Sequence, residues 1–110
     1  VVFKKTDFFE KYGWVRHNNF LWSVPNAQKN MMEPILLTLD PGGSTYPDNP
    51  HEGEEFGFVL SGTIQIHIGP NVYKAKKGEA FYFTSNKKHY ITAPGKTGAH
   101  FLWVSTPPSF

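Results

Sequence analysis

Thr63-Ile64-Gln65-Ile66-His67-Ile68, closed by Gly69-Pro70-Asn71, is the stretch that decides the fold. Isoleucine takes every second position, and Thr63, Gln65 and His67 fall between. That period puts the isoleucines on one face of a strand and the polar groups on the other, as in a half-buried strand of an antiparallel sheet. The same grammar runs outward in both directions. Phe56–Leu60 precedes it across Ser61-Gly62, and Val72–Lys76 follows the turn. Ala80–Thr84 comes after Lys77-Gly78, His89–Ala93 after Ser85-Asn86-Lys87-Lys88, and His100–Thr106 after Pro94-Gly95 and Gly98. Upstream, Phe20–Val24 ends at Pro25-Asn26 and Met31–Leu39 at Asp40-Pro41-Gly42-Gly43. About eight strands at roughly ten-residue spacing predict an all-β sandwich or barrel. Only Asp7–Tyr12 suggests a helix, of one turn at most, with Asp7 as N-cap and Glu10 three residues on.

The 110 residues are expected to form a single domain, 1–110, with residues 1–19 as a strand-or-turn segment leading into the barrel. With no cysteine, disulfides, thiolate metal sites and cysteine nucleophiles are all excluded. No stretch approaches the ~20 apolar residues of a membrane span. The net charge of +2 is too balanced for a nucleic-acid surface, and Arg16 is the only arginine. Lys74, Lys76, Lys77, Lys87 and Lys88 read as solvated turns and edge strands, where lysine discourages edge pairing.

Chemistry concentrates in Tyr46–Glu55, a polar, proline-rich segment joining two apolar strands. If Glu55 opens the next strand, it shares a face with Gly57 and Val59, and a carboxylate on an inner face needs a partner. His89 opens a later strand and shares its face with Ile91 and Ala93. His51, Glu55 and His89 are therefore candidate ligands of a divalent cation such as Zn, Ni, Mn or Fe. The alternative is a hydrogen-bonded polar cluster at a pocket mouth. Tyr46, Tyr82, Phe83, Trp103 and Glu33 are candidate pocket residues, with Phe101 and Trp22 beside them. An aromatic wall with a carboxylate suits an amine or amino acid through cation–π contact and ion pairing. Plain core packing is the other reading of those aromatics.

Gly43, His51-x-x-x-Glu55 and Gly62 resemble the first cupin motif. Gly78, Thr84, Asn86 and His89 resemble the second, with Thr84 in place of the usual Pro, Asn86 of the usual Gly and Ala93 of the closing Asn. His51-Glu-Gly-Glu-Glu-Phe-Gly-Phe-Val-Leu-Ser-Gly62, Lys77-Gly-Glu-Ala-Phe-Tyr-Phe83 and Leu102-Trp-Val-Ser-Thr-Pro-Pro108 are similar to the C-terminal cupin of bacterial regulators with a helix-turn-helix domain of the XRE type. The resemblance implies a small antiparallel β-barrel of the jelly-roll type, also called a double-stranded β-helix. It implies a cytoplasmic ligand sensor with no catalytic residue, touching DNA only through an attached N-terminal domain. Val1 in place of Met fits the expectation of a C-terminal piece. A homodimer is expected by analogy with two-fold symmetric DNA sites, with Val1–Lys5 as a strand for the second copy. Metal-binding members usually carry a His where Asn49 stands here, which leaves His51, Glu55 and His89. The alternative function is a metal-dependent isomerase or dioxygenase using that trio, with Tyr82 or Tyr90 as acid or base.

Overall fold

The computed structural model describes residues 2–7, 9, 10, 20–23 and 29–110. Nine strands occur among the described residues: β1 Phe9–Glu10, β2 Phe20–Ser23, β3 Glu33–Leu39, β4 Glu54–Ser61, β5 Thr63–Ile68, β6 Asn71–Lys76, β7 Ala80–Thr84, β8 His89–Thr92 and β9 Ala99–Thr106. One sheet has the order β1-β2-β3-β9-β4-β7 and the other β6-β5-β8, with antiparallel pairing throughout. The last strand, β9, lies between β3 and β4, so the chain returns through the middle of the larger sheet.

Alternation decides which side chains face inward. In β4, Glu55, Gly57 and Val59 are buried while Phe56, Phe58 and Leu60 are exposed. Registered rows cross β3, β9 and β4: Glu33, Ser105 and Glu55, then Ile35, Trp103 and Gly57, then Leu37, Phe101 and Val59. Ile64 and Ile66 of β5, Ala75 of β6 and Ile91 of β8 cover these rows from the smaller sheet. Each such large aliphatic or aromatic side chain contributes about 1.5–3 kcal/mol when fully buried. Gly57 has a steric role, since a Cβ there would run into the Phe81 ring.

Two expectations change. Lys5–Asp7 forms a short 3-10 turn, and the Asp7 carboxylate accepts from the Lys4 amide at 2.8 Å, closing that turn instead of capping a helix behind it. Glu10 belongs to β1; the rest of the expected Asp7–Tyr12 turn, residues 8, 11 and 12, lies outside the described residues, as does Val24. The first part of the Tyr46–Glu55 segment is also no free loop. Residues 42–48 pair along β8, through Thr45 N to Ile91 O at 2.9 Å and reciprocal Asp48–His89 backbone bonds at 2.8 and 3.0 Å.

Candidate metal centre

That edge pairing builds the site. It sets Asp48 beside His89, the first residue of β8. Past Asn49 and Pro50, both exposed, the His51 amide donates to the Ser85 carbonyl at 2.8 Å. The Ser85 amide donates to the Gly53 carbonyl at 3.0 Å, and the Ser85 hydroxyl to Glu55 Oε2 at 2.7 Å. The turn after β7 thereby staples the segment before β4 to the start of β8. His51 Nε2 lies 3.0 Å from Asp48 Oδ2 and 3.5 Å from Glu55 Oε2. His89 Nε2 lies 3.3 Å from Asp48 Oδ2 and 2.8 Å from Glu55 Oε2.

The ring tautomers follow from the partners of Nδ1. His51 Nδ1 is 2.9 Å from the Glu52 carbonyl oxygen, and His89 Nδ1 is 2.8 Å from that of Lys87. A carbonyl oxygen only accepts, so each Nδ1 carries a hydrogen and each neutral ring turns an Nε2 lone pair toward the carboxylates. Lone pairs facing carboxylate oxygens repel unless a proton or a cation stands among them. His89 Nε2 and Glu55 Oε1 are both buried without a hydrogen-bond partner, although His89 Nε2 approaches Glu55 Oε2 to 2.8 Å. Metal–ligand bonds of about 2.1 Å at right angles place neighbouring donors about 3 Å apart. The four imidazole–carboxylate spacings run from 2.8 to 3.5 Å, and Asp48, His51 and His89 group as a set that can hold a divalent cation, with Glu55 Oε2 against both imidazoles. Burial of the His89 ring alone would lower its pKa. The Glu55 carboxylate, the Lys87 carbonyl and the Asp48 charge outweigh that, and the value lies above the ordinary 6.5. The cluster sits at a mouth of the barrel, with the His51 and Asp48 side chains 24% and 22% exposed against 1% or less for His89 and Glu55.

The structure brings His51, Glu55 and His89 together and adds Asp48, which the sequence reading passed over. The exposed Asn49 is not part of the group; its neighbour Asp48 supplies an oxygen instead. Asp48 is an oxygen donor directly before the Asn-Pro break, and that was the available signal. Nothing local marks Ser85.

The expected pocket residues disperse. Tyr82 and Phe83 line a groove beside β6 and β7. Trp103 and Glu33 are buried in the barrel interior, where the Ser23 hydroxyl donates to Glu33 at 3.3 Å. Trp103 Nε1 has no hydrogen-bond partner and faces inward opposite Gly57. Tyr46 is exposed on the segment beside β8, Phe101 is core, and the Trp22 side chain lies outside the described residues. Neither tyrosine considered as acid or base faces the cluster. Tyr82 is exposed on the outer side of β7, and Tyr90 stacks on His67 with ring centroids 4.2 Å apart.

The family model for the cupin domain matches residues 35–105, and the chain belongs to the cupin family. No curated protein sequence matches it. Among solved structures, the cupin domain of an XRE family transcriptional regulator from Enterobacter cloacae is 19% identical with a TM-score of 0.72, covering 84% of this chain and all of that one. An HTH_3 family transcriptional regulator from Vibrio cholerae is 22% identical with a TM-score of 0.71; the match covers 84% of this chain and about half of that one, 52%. A predicted oxalate decarboxylase from Thermotoga maritima is 18% identical with a TM-score of 0.81, over 98% of this chain and 100% of that one. Such low identities establish a shared fold, one that serves both regulators and enzymes.

Proposed function

We infer that the domain is the effector-binding cupin of a bacterial transcriptional regulator. Asp48, His51, Glu55 and His89 hold a divalent cation at its mouth, and a small molecule bound beside them changes how an attached helix-turn-helix domain holds DNA. One observation carries the metal reading: two imidazoles with Nδ1 committed to backbone carbonyls turn their Nε2 atoms onto two carboxylates. Two nitrogens and two carboxylate oxygens suit Mn or Fe(II) at least as well as Zn or Ni. The sensor reading is supported by the wording of the sequence motifs; the two tyrosines considered as acid or base, Tyr82 and Tyr90, point away from the cluster.

The test is elemental analysis of gently purified protein, then operator binding by the full-length gene product before and after chelation. About one metal per chain and a chelation-dependent change in DNA affinity are expected. Substoichiometric metal with no metal-induced rise in melting temperature sinks the metal reading. Full catalytic turnover by the metal-loaded domain alone would favour the second reading, a cupin enzyme. That reading draws on the higher structural similarity to the Thermotoga maritima protein, extending over 98% of this chain.

A further inference from the structure

The groove beside the metal cluster has a chemistry of its own. β6 and β7 are consecutive and joined by the tight Lys77-Gly78-Glu79 turn, closed by a Glu79 amide to Lys76 carbonyl bond of 2.9 Å. They do not pair with each other, because β6 joins β5 and β7 joins β4. The two strands diverge from their turn, and inner-face residues are left without a strand opposite. Tyr73 shares the inward side of β6 with buried Ala75, yet it is 53% exposed. The gap is a groove of about 690 Å³ floored by Ile66, Ile68, Phe81 and Phe83.

Its rim is charged with one sign only. Lys74 and Lys87 line it, and no Asp or Glu does. Among the described residues neither ammonium has a carboxylate partner. The Lys87 stem lies over Gly69, and a Cβ there would sit 3.3 Å from Lys87 Cδ. The Thr84 hydroxyl donates to Asn86 Oδ1 at 3.3 Å, which leaves the Asn86 amide nitrogen as a donor for something else. Lys74, Lys87 and Asn86 border an aromatic and aliphatic floor, in a space within the usual range of small-molecule pockets. This charge opposes the amine expected from the sequence, whose Glu33 counter-ion is buried elsewhere.

We propose that the groove binds a small organic anion, a monocarboxylate on a flat aromatic body. The floor takes the ring and the lysines take the carboxylate as point charges. This rests on the sensor reading above and names the chemical class of its effector. Phe83 forms part of the groove and also meets the His89 ring edge-on, with centroids 5.2 Å apart, so an occupant touches a side chain that touches the metal cluster.

The test is titration of the metal-loaded domain with three molecules sharing one body: phenylacetate, phenylacetamide and phenethylamine. Calorimetry gives the affinities, and amide chemical-shift mapping gives the location. Phenylacetate is expected to bind at least tenfold tighter than the other two, to shift the Tyr73, Lys74 and Phe83 signals, and to weaken at least tenfold in Lys74→Gln/Lys87→Gln. Equal binding of all three, preference for the amine, or no binding at millimolar concentration overturns the proposal. So does phenylacetate binding that survives the double substitution and vanishes on chelation, because the carboxylate then sits on the metal. Stoichiometric metal with no carboxylate binding rejects the groove alone; carboxylate binding without metal uptake keeps the groove and rejects the metal centre.

Discussion

Phe83 separates two regions built on opposite plans. On one side, His51, Glu55 and His89 are held by bonds from Glu52, Ser85 and Lys87, and Asp48 by its backbone pairing with His89, before any ligand arrives. On the other, Lys74 and Lys87 stand at an open rim, and among the described residues no carboxylate holds them. The difference teaches where each region's binding energy comes from. Preorganised donors lose little freedom when a cation binds, whereas the rim lysines must lose theirs at that moment.

The strongest way to break the comparison is His89→Ala. It deletes one ligand and strands the buried Glu55 carboxylate, so metal affinity should fall by about 100-fold or more and stability by about 3 kcal/mol. Elemental analysis and urea unfolding read both, and a variant with wild-type metal content defeats the cluster. Next comes the paired comparison of Asp48→Ala with Asn49→Ala. The first should weaken the metal at least about tenfold and the second by less than about twofold; the reverse order, in competition with a chelating dye, would restore the position expected from sequence. Ser85→Ala removes the bond that aims Glu55 and should reduce metal affinity about tenfold, with a stability loss of about 1–2 kcal/mol.

Proton competition is a gentler probe. Both Nε2 atoms must be unprotonated to bind a cation, so metal occupancy falls as pH drops through the imidazole range. Because the metal-free pKa of His89 is raised, its proton begins to compete above pH 6.5. Flat occupancy between about pH 5 and 8 at limiting metal would contradict a site built on two imidazoles. Smallest of all, Lys74→Gln and Lys87→Gln should each leave stability within about 0.5 kcal/mol, since among the described residues neither ammonium has a carboxylate partner. A larger drop in melting temperature would mean that the rim is structural.

Much of the fold was legible because strand alternation is local. Phe56, Phe58 and Leu60 were placed on one face and Glu55, Gly57 and Val59 on the other, and burial follows that division residue by residue. The alternating run at Thr63–Ile68 matches β5. His51 and Glu55 could be linked because they are four apart, just before a strand, and His89 joined them through its motif. Asp48 escaped because its place depends on a backbone ladder to β8, about forty residues away in sequence. The aromatics stayed open between pocket and core because Trp103 and Tyr82 look alike in a strand pattern, yet Trp103 faces a core row and Tyr82 borders the groove beside β6 and β7.

Sequence alone determined the all-β class and the inward and outward faces of Phe56–Leu60 and Thr63–Ile68, because the pleat is a property of neighbouring residues, and its motifs named His51, Glu55 and His89 as candidates. Tertiary structure decided that Asp48 completes the cluster, that Glu33 and Trp103 are shut inside, and that β6 and β7 part to open a basic groove. Which strand edges meet and which diverge is settled only when the two sheets close on each other, and no local period records that closure.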